Sequence, residues 1–287
     1  MATRPQVSPN KRPIFHYTDT VGLVGIIGNH EIWATHTDFL NDSLEMEIGI
    51  DAIRRSVTDE AQRVKEINVD EKYQNAAAQL ELVAKAVERS NFGDTFVASF
   101  SKLRDSLPQW RSYAPAGFAI EIDGSDLIDW SRAIRADGKP IFPTGDYLFD
   151  VEYAGESPST LITQAVSELS GSLLSGATTA VDQQSARFQA GAHFGGIYPL
   201  LKHGSFREEN EVRVVMRHGK FPLEFRPSTL MGPVAFIRIP INPHSIRRVH
   251  VGPGPNREIR AKAAEYLLHE KVEFATEIVT SASSYRG

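Results

Sequence analysis

The chain has no cysteine among its 287 residues. Disulfides, thiolate catalysis and cysteine-bound zinc are therefore excluded. It also lacks a long apolar run. No stretch approaches the roughly 20 residues that cross a bilayer, and the opening MATRPQVSPNKRP has no apolar segment of the kind a secretory signal needs. The expectation is a cytoplasmic protein with no membrane partner. Positive charge is short as well: 31 Lys and Arg stand against 36 Asp and Glu, a net charge of −5. That gives no electrostatic case for duplex binding, although a local basic groove stays open. Gly22, Gly25 and Gly28 do not have phosphate-loop spacing and no Gly-Lys-Ser/Thr follows them. There is no Gly-x-Ser-x-Gly elbow. The nine histidines include no His-Glu-x-x-His, so a metal-dependent hydrolase or nuclease would need ligands from distant parts of the chain.

What is present is a set of short alternating runs. Pro13 opens an aromatic-rich strand in which Phe15 and Tyr17 share one face and Ile14, His16 and Thr18 the other. Asp19 or Thr20 caps a short helix with Leu23, Ile26 and Ile27 on one side, ended by Gly28-Asn29. Glu31–Thr35 reads as a second strand. Helices are expected from Ser43 to about Arg55 and over Thr58–Ser90, then a strand over Thr95–Ser101. A helical turn follows at Gln109–Ala114, with strands at Gly117–Ile122 and Tyr147–Tyr153. Helices over Leu161–Leu174 and Gln183–Phe194 are joined by Ser170–Thr179, read as a mobile loop. Strands at Val234–Ile239, Ile246–Val251 and Val272–Val279 close the chain, with a helix at Asn256–Leu268. Strands and helices mix without βαβ regularity, which predicts an α+β fold with mainly antiparallel sheets. The expected organisation is a flexible tail over residues 1–12 and one domain over 13–287, with a helical insertion near 43–90.

The stretch FREENEVRVVM at 206–216 is the chemically richest. Alternation from Glu209 puts Glu209, Glu211, Arg213 and Val215 on one side and Val212, Val214 and Met216 on the other. Two acids so placed repel unless a cation lies between them, and Arg213 is one candidate. The competing reading is a solvated edge strand whose charges resist aggregation. His16 between aromatics has a competing reading as a hydrogen-bonded structural residue. Ser99 and Ser101 share a face that can simply be the wet side of a strand, and Trp110, Tyr113 and Trp33 can be core or rim packing.

The joint order of these pieces carries more than any one. HYTD at 16–19, NDSLE at 41–45, SFS at 99–101, QWRSYA at 109–114, FREENEVR at 206–213 and SASSYR at 281–286 resemble a bacterial domain-of-unknown-function family. Some of its members are associated with abortive infection and phage defence. More remotely, HYTDTVGLVGIIGNHEIWAT is similar in layout to the start of ADP-ribosyltransferases of the His-Tyr-Glu type. The central motif departs from Ser-Thr-Ser, and the usual second-strand tyrosine has no unique counterpart. This resemblance implies an ADP-ribosyltransferase-like fold that uses NAD as substrate. His16, with Tyr17 and Thr18, would hold the adenosine ribose, and Ser99 or Ser101 would take the central serine place. Trp110 or Tyr113 would stack on nicotinamide, and Arg213 would hold Glu209 or a phosphate. Glu211 would be the catalytic acid, with Glu209 as its partner on the acceptor side. Implied partners are a macromolecular acceptor, protein or nucleic acid, and an antitoxin or defence-operon protein. The implied role is that of a toxin or antiviral effector; the alternative is a non-catalytic nucleotide- or partner-binding sensor.

Overall fold

Period-two alternation becomes a ten-stranded sheet that is antiparallel except where its last strand joins. The computed structural model describes residues 13–40, 43–133, 147–153, 159–217, 222–272 and 276–283. Along them the strands are β1 (Pro13–Thr18), β2 (Glu31–His36), β3 (Thr95–Ser101), β4 (Phe118–Asp123), β5 (Leu148–Asp150), β6 (Glu152–Tyr153), β7 (Leu201–Lys202), β8 (Glu211–Arg217), β9 (Glu224–Ser228), β10 (Gly232–Pro240), β11 (Ile246–Val251) and β12 (Glu277–Thr280). The helices are α1 (Thr20–Asn29), α2 (Ser43–Ile67), α3 (Glu71–Ala86), α4 (Leu107–Tyr113), α5 (Thr160–Ser175), α6 (Gln183–Phe194) and α7 (Arg257–Lys271). The fold is thus mixed α+β with a mostly antiparallel sheet. The expected tail at 1–12, Asn41 and Asp42, the side chains of residues 43–45, and residues 284–286 of the terminal motif lie outside the described residues.

β3 is the hub. β8 pairs along its whole length, and β1 and β2 share its other edge. From β1 the sheet continues through β4 and β11 to β12, and from β2 through β10 to β9. Both faces of the centre are covered. Val212, Val214 and Met216 of β8 join Phe96, Ala98 and Phe100 of β3 in a core closed by Leu23, Ile26 and Ile27 of α1 and Leu268 of α7. Val97 and Val215, on the other face, join a second core built by α2, α3, α5 and α6. β8 is therefore no solvated edge: β3 pairs it on one side and β5 on the other.

Tertiary packing also moves some boundaries. The helices expected to break near Arg55–Thr58 are one, because Val57 is fully buried in the helical core; that burial outweighs the weak helix propensity of Val57 and Thr58. The break falls at Asn68–Asp70, where the Asn68 side chain accepts from Asp70 N at 3.0 Å. The joint expected at Ser170–Thr179 is helical to Ser175, with Ser170 buried, and ends at Gly176 in the left-handed region at φ 73°. The helical layer is built from two separate chain segments, so the insertion near 43–90 is half of it.

Candidate functional site

A gap in one strand ladder positions the site. On the edge of β3 away from β8, β1 pairs only through Phe15↔Ser101, and β2 pairs through Thr35↔Val97 and His36↔Phe96. Ala98, Ser99 and Phe100 pair with neither. β1 and β2 run parallel and part here, joined by α1. A cleft of about 730 Å³ opens at the parting. Its walls bring together His16, Thr18, Ser99, Tyr113, Glu209 and Glu211, residues far apart in sequence.

The unpaired edge leaves the Ser99 carbonyl without a ladder partner, and the His16 ring supplies one, with Nδ1 3.0 Å from the oxygen. A carbonyl only accepts, so Nδ1 carries the proton and donates it, and Nε2 keeps the ring's acceptor lone pair. Burial holds the imidazole below its ordinary 6.5, with the Ser99 bond working the other way. The ring is neutral at pH 7. The structural role and a place at the cleft thus coexist in one side chain.

Glu209 and Glu211 meet at a residue that sequence reading missed. Lys202 of β7 is buried, with Nζ 2.6 Å from Glu209 Oε2 and 3.2 Å from Glu211 Oε2. Arg213 forks onto Glu211, Nε to Oε1 at 2.7 Å and an NH2 to Oε2 at 2.9 Å, and donates to the Pro199 carbonyl at 2.6 Å. The guanidinium therefore holds Glu211, not Glu209. Burial would push the Glu211 carboxyl up, but the charge and hydrogen bonds of Arg213, then Lys202 and the Ser99 hydroxyl, hold it below its ordinary range. Two carboxylates and two cations sum to zero, as burial requires.

Glu209 does not reach this cluster by strand alternation. It ends a 3₁₀ turn over Gly204–Glu209, and Asn210 follows in the left-handed region at φ 44°, which Asn tolerates better than most residues. The turn is clamped from below. The Ser101 hydroxyl donates to the Glu209 carbonyl at 2.7 Å, and Gln109 Nε2 donates to the same oxygen at 3.4 Å. Tyr113 Oη donates to Glu209 Oε1 at 3.2 Å. Ser101 is thus a buried support for Glu209, while Ser99 is exposed to the cleft.

Other expected site residues land differently. Trp110 does not line the cleft. It is 1% exposed, packs edge-on against Tyr17 with centroids 4.7 Å apart, and donates from Nε1 to Asp105 at 2.7 Å. Tyr113, half-exposed at the end of α4, is the aromatic that reaches the cleft. Tyr17 borders the cleft, but its hydroxyl is committed: it donates to the Leu103 carbonyl at 2.7 Å and accepts from Ser106 N at 3.0 Å. Burial first, and the neighbouring Asp105 charge, push that hydroxyl up to about 12 against the effect of the Ser106 bond. β3 lies between the strands of His16 and Glu211.

Lys202 could not be read from LKHG, because a lone lysine two residues into a short strand has no pattern; its role comes from β7 lying under the Glu209 turn. Among the described residues no three His, Asp or Glu side chains gather in metal-ligating geometry, and no helix is long and apolar enough to cross a membrane. No curated protein and no solved structure matches the chain. The family model described as "Protein of unknown function (DUF2971)" matches residues 109–214, a stretch that takes in Tyr113 and the whole Lys202–Glu209–Glu211–Arg213 cluster but leaves His16, Ser99 and Ser101 outside it.

Proposed function

We propose that the chain is an NAD-consuming enzyme, an ADP-ribosyltransferase or NAD glycohydrolase with an ADP-ribosyltransferase-like sheet, acting as a bacterial toxin or defence effector. The observation that carries this reading is the convergence of a neutral His16, Ser99, Tyr113 and the Glu209–Glu211 pair on one cleft. Breaking the nicotinamide–ribose bond builds an oxocarbenium-like charge on the sugar, as in glycoside hydrolysis. A carboxylate that accepts from the ribose 2′-hydroxyl stabilises that charge more than it stabilises the ground state. His16 Nε2 suits a ribose hydroxyl of the adenosine half, and the Tyr113 ring suits nicotinamide.

The geometry weighs the two acids differently from the sequence. A carboxylate has about four acceptor sites. Glu211 receives donors from Arg213 twice, Lys202 once and Ser99. Glu209 receives Lys202 and Tyr113. Glu209 keeps room for a substrate hydroxyl and is the better candidate to accept it; Glu211 fixes the cations. The test follows nicotinamide release and label transfer from NAD for wild type, Glu209→Gln and Glu211→Gln, each at a temperature where its melting curve shows a folded protein. Glu209→Gln is expected to lose release on the order of a hundredfold or more. Full release by this variant, with loss confined to Glu211→Gln, returns the catalytic role to Glu211. The same self-compensated cluster also favours a second reading, a nucleotide-binding sensor, which would bind NAD and release no nicotinamide.

A further inference from the structure

Five charged side chains gather on and beside the β2–β10–β9 end of the cleft, and four of them are spoken for. Arg238 forks onto Glu224 at 2.7 and 2.8 Å and reaches Glu31 at 3.1 Å. Glu31 also accepts from Arg132 at 3.0 Å. Arg226 is the fifth. It stands on β9, half-buried, and reaches across β10 to the Thr35 hydroxyl at 3.0 Å. Among the described residues no carboxylate lies within ion-pair distance of it. Burial lowers its pKa with no neighbouring charge opposing the shift.

Beside it lies an aromatic plane. Trp33 stacks on Phe236 at 4.3 Å and is 41% exposed, with the Arg226 guanidinium 6.0 Å from its centroid. Trp33, Thr35 and Arg226 all border the cleft. A half-buried guanidinium without a countercharge costs desolvation energy that an anionic ligand would recover, and its planar fork matches phosphate oxygens. The first turn of α1 is not a competing anion seat, because the Asp19 carboxylate already accepts from Gly22 N at 2.7 Å there.

We infer that Arg226, Thr35 and Trp33 form a phosphate subsite with an adjoining ring platform, so that the ligand of the cleft is a nucleotide bearing a phosphate or pyrophosphate. The inference rests on the proposed function only for which nucleotide that is. Strand register supports the span. Thr35 sits opposite Val97, and Glu211 opposite Ser101. They are therefore two strand spacings apart across the sheet, ~10 Å, and four residues apart along it, ~13 Å. A mononucleoside at the Glu209–Glu211 end would not reach Arg226, whereas a dinucleotide is long enough to set a phosphate on Arg226 while its other half stays at the Glu209–Glu211 end.

The experiment measures binding of adenosine, ADP, ADP-ribose and inorganic pyrophosphate by titration calorimetry to wild type, Arg226→Gln, Arg226→Lys and Thr35→Val, alongside nicotinamide release from NAD. ADP and ADP-ribose are expected to bind wild type at least tenfold tighter than adenosine, and pyrophosphate to compete with them. Arg226→Gln erases that advantage and flattens its salt dependence, and Arg226→Lys restores part of it. Thr35→Val, which removes the hydroxyl without touching charge, weakens ADP less than Arg226→Gln does. Equal binding of ADP and adenosine to wild type overturns the inference, as does unchanged ADP binding by a folded Arg226→Gln. Arg226-dependent ADP binding without nicotinamide release would keep this subsite and remove the transferase reading. Nicotinamide release with an unchanged KM for NAD in Arg226→Gln would do the reverse.

Discussion

Lys202 shows how one side chain can decide whether two acids coexist. Its ammonium is 1% exposed and shared by both glutamates. Removing one member of a buried ion cluster leaves an uncompensated charge away from water, which typically costs about 3–5 kcal/mol. Lys202→Met should lower stability by about that much in urea unfolding at pH 7, and Lys202→Met/Glu209→Gln should recover a large part, since the excess negative charge is then gone. Equal loss in the single and double variants would mean that Lys202 acts through packing, for instance against the Phe206 ring 4.7 Å away. The same logic bears on Glu211→Gln. Its neutral side chain leaves Arg213 and Lys202 facing one carboxylate, so this variant is expected to lose stability, contrary to what shape alone suggests.

At the scale of elements, α1 fixes one wall of the cleft by how closely it leaves β1. Its N-cap is Asp19, and a Cβ on Gly22 would come 1.9 Å from Thr18 Oγ1. That space cannot be found without moving Thr18, itself a cleft residue. Overpacking of this kind costs about 1–3 kcal/mol, more than alanine gains over glycine in a helix. Gly22→Ala should therefore lower the melting temperature, and Gly22→Ala/Thr18→Ala should lose less than the two single variants summed. Additivity would show that the helix start shifts freely to make room. β3 and β8 make the opposite wall, and their continuous ladder gives Ser99 and Arg213, and Ser101 and Glu211, as direct neighbours.

For the whole molecule, two groups of the site link stability to pH, one from below 6.5 and the other from below 4.5. His16 is held below 6.5 in the folded chain, so the unfolded chain binds more protons there, and stability falls as pH drops from 6.5 toward the lowered value. Glu211 is held below 4.5, so its contribution is complete above 4.5 and is lost as pH drops from there toward its own lowered value. Urea unfolding from pH 8 to 3 should show both declines. His16→Gln should shrink the upper one, to which the burial-lowered His30 and His193 also contribute, and Glu211→Gln should shrink the lower. An upper decline of undiminished size in His16→Gln would place its source in His30 and His193 alone.

Much of this was legible in the sequence. The alternation of TFVASFS names both faces of β3, and the Leu23, Ile26 and Ile27 stripe names the buried side of α1, because side-chain periodicity is local geometry. The absence of cysteine, and the grouping of His16, Ser99 and Glu211 as residues with unusual polarity for strands, needed no coordinates. Which side chains face one another was settled by packing in three dimensions. Glu209 reaches the cluster through the left-handed Asn210 and a 3₁₀ turn, which a period-two count cannot represent. Trp110 is buried against Tyr17 and Tyr113 exposed beside Glu209, although residues three apart share a side of a helix, so helical spacing alone could not tell them apart. Lys202 and Arg226 carry charge whose meaning depends on the carboxylates around them. Lys202 is bracketed by two and Arg226 by none among the described residues, and neither fact is written within a few residues of either, because electrostatic environment is set by distance in space and not along the chain.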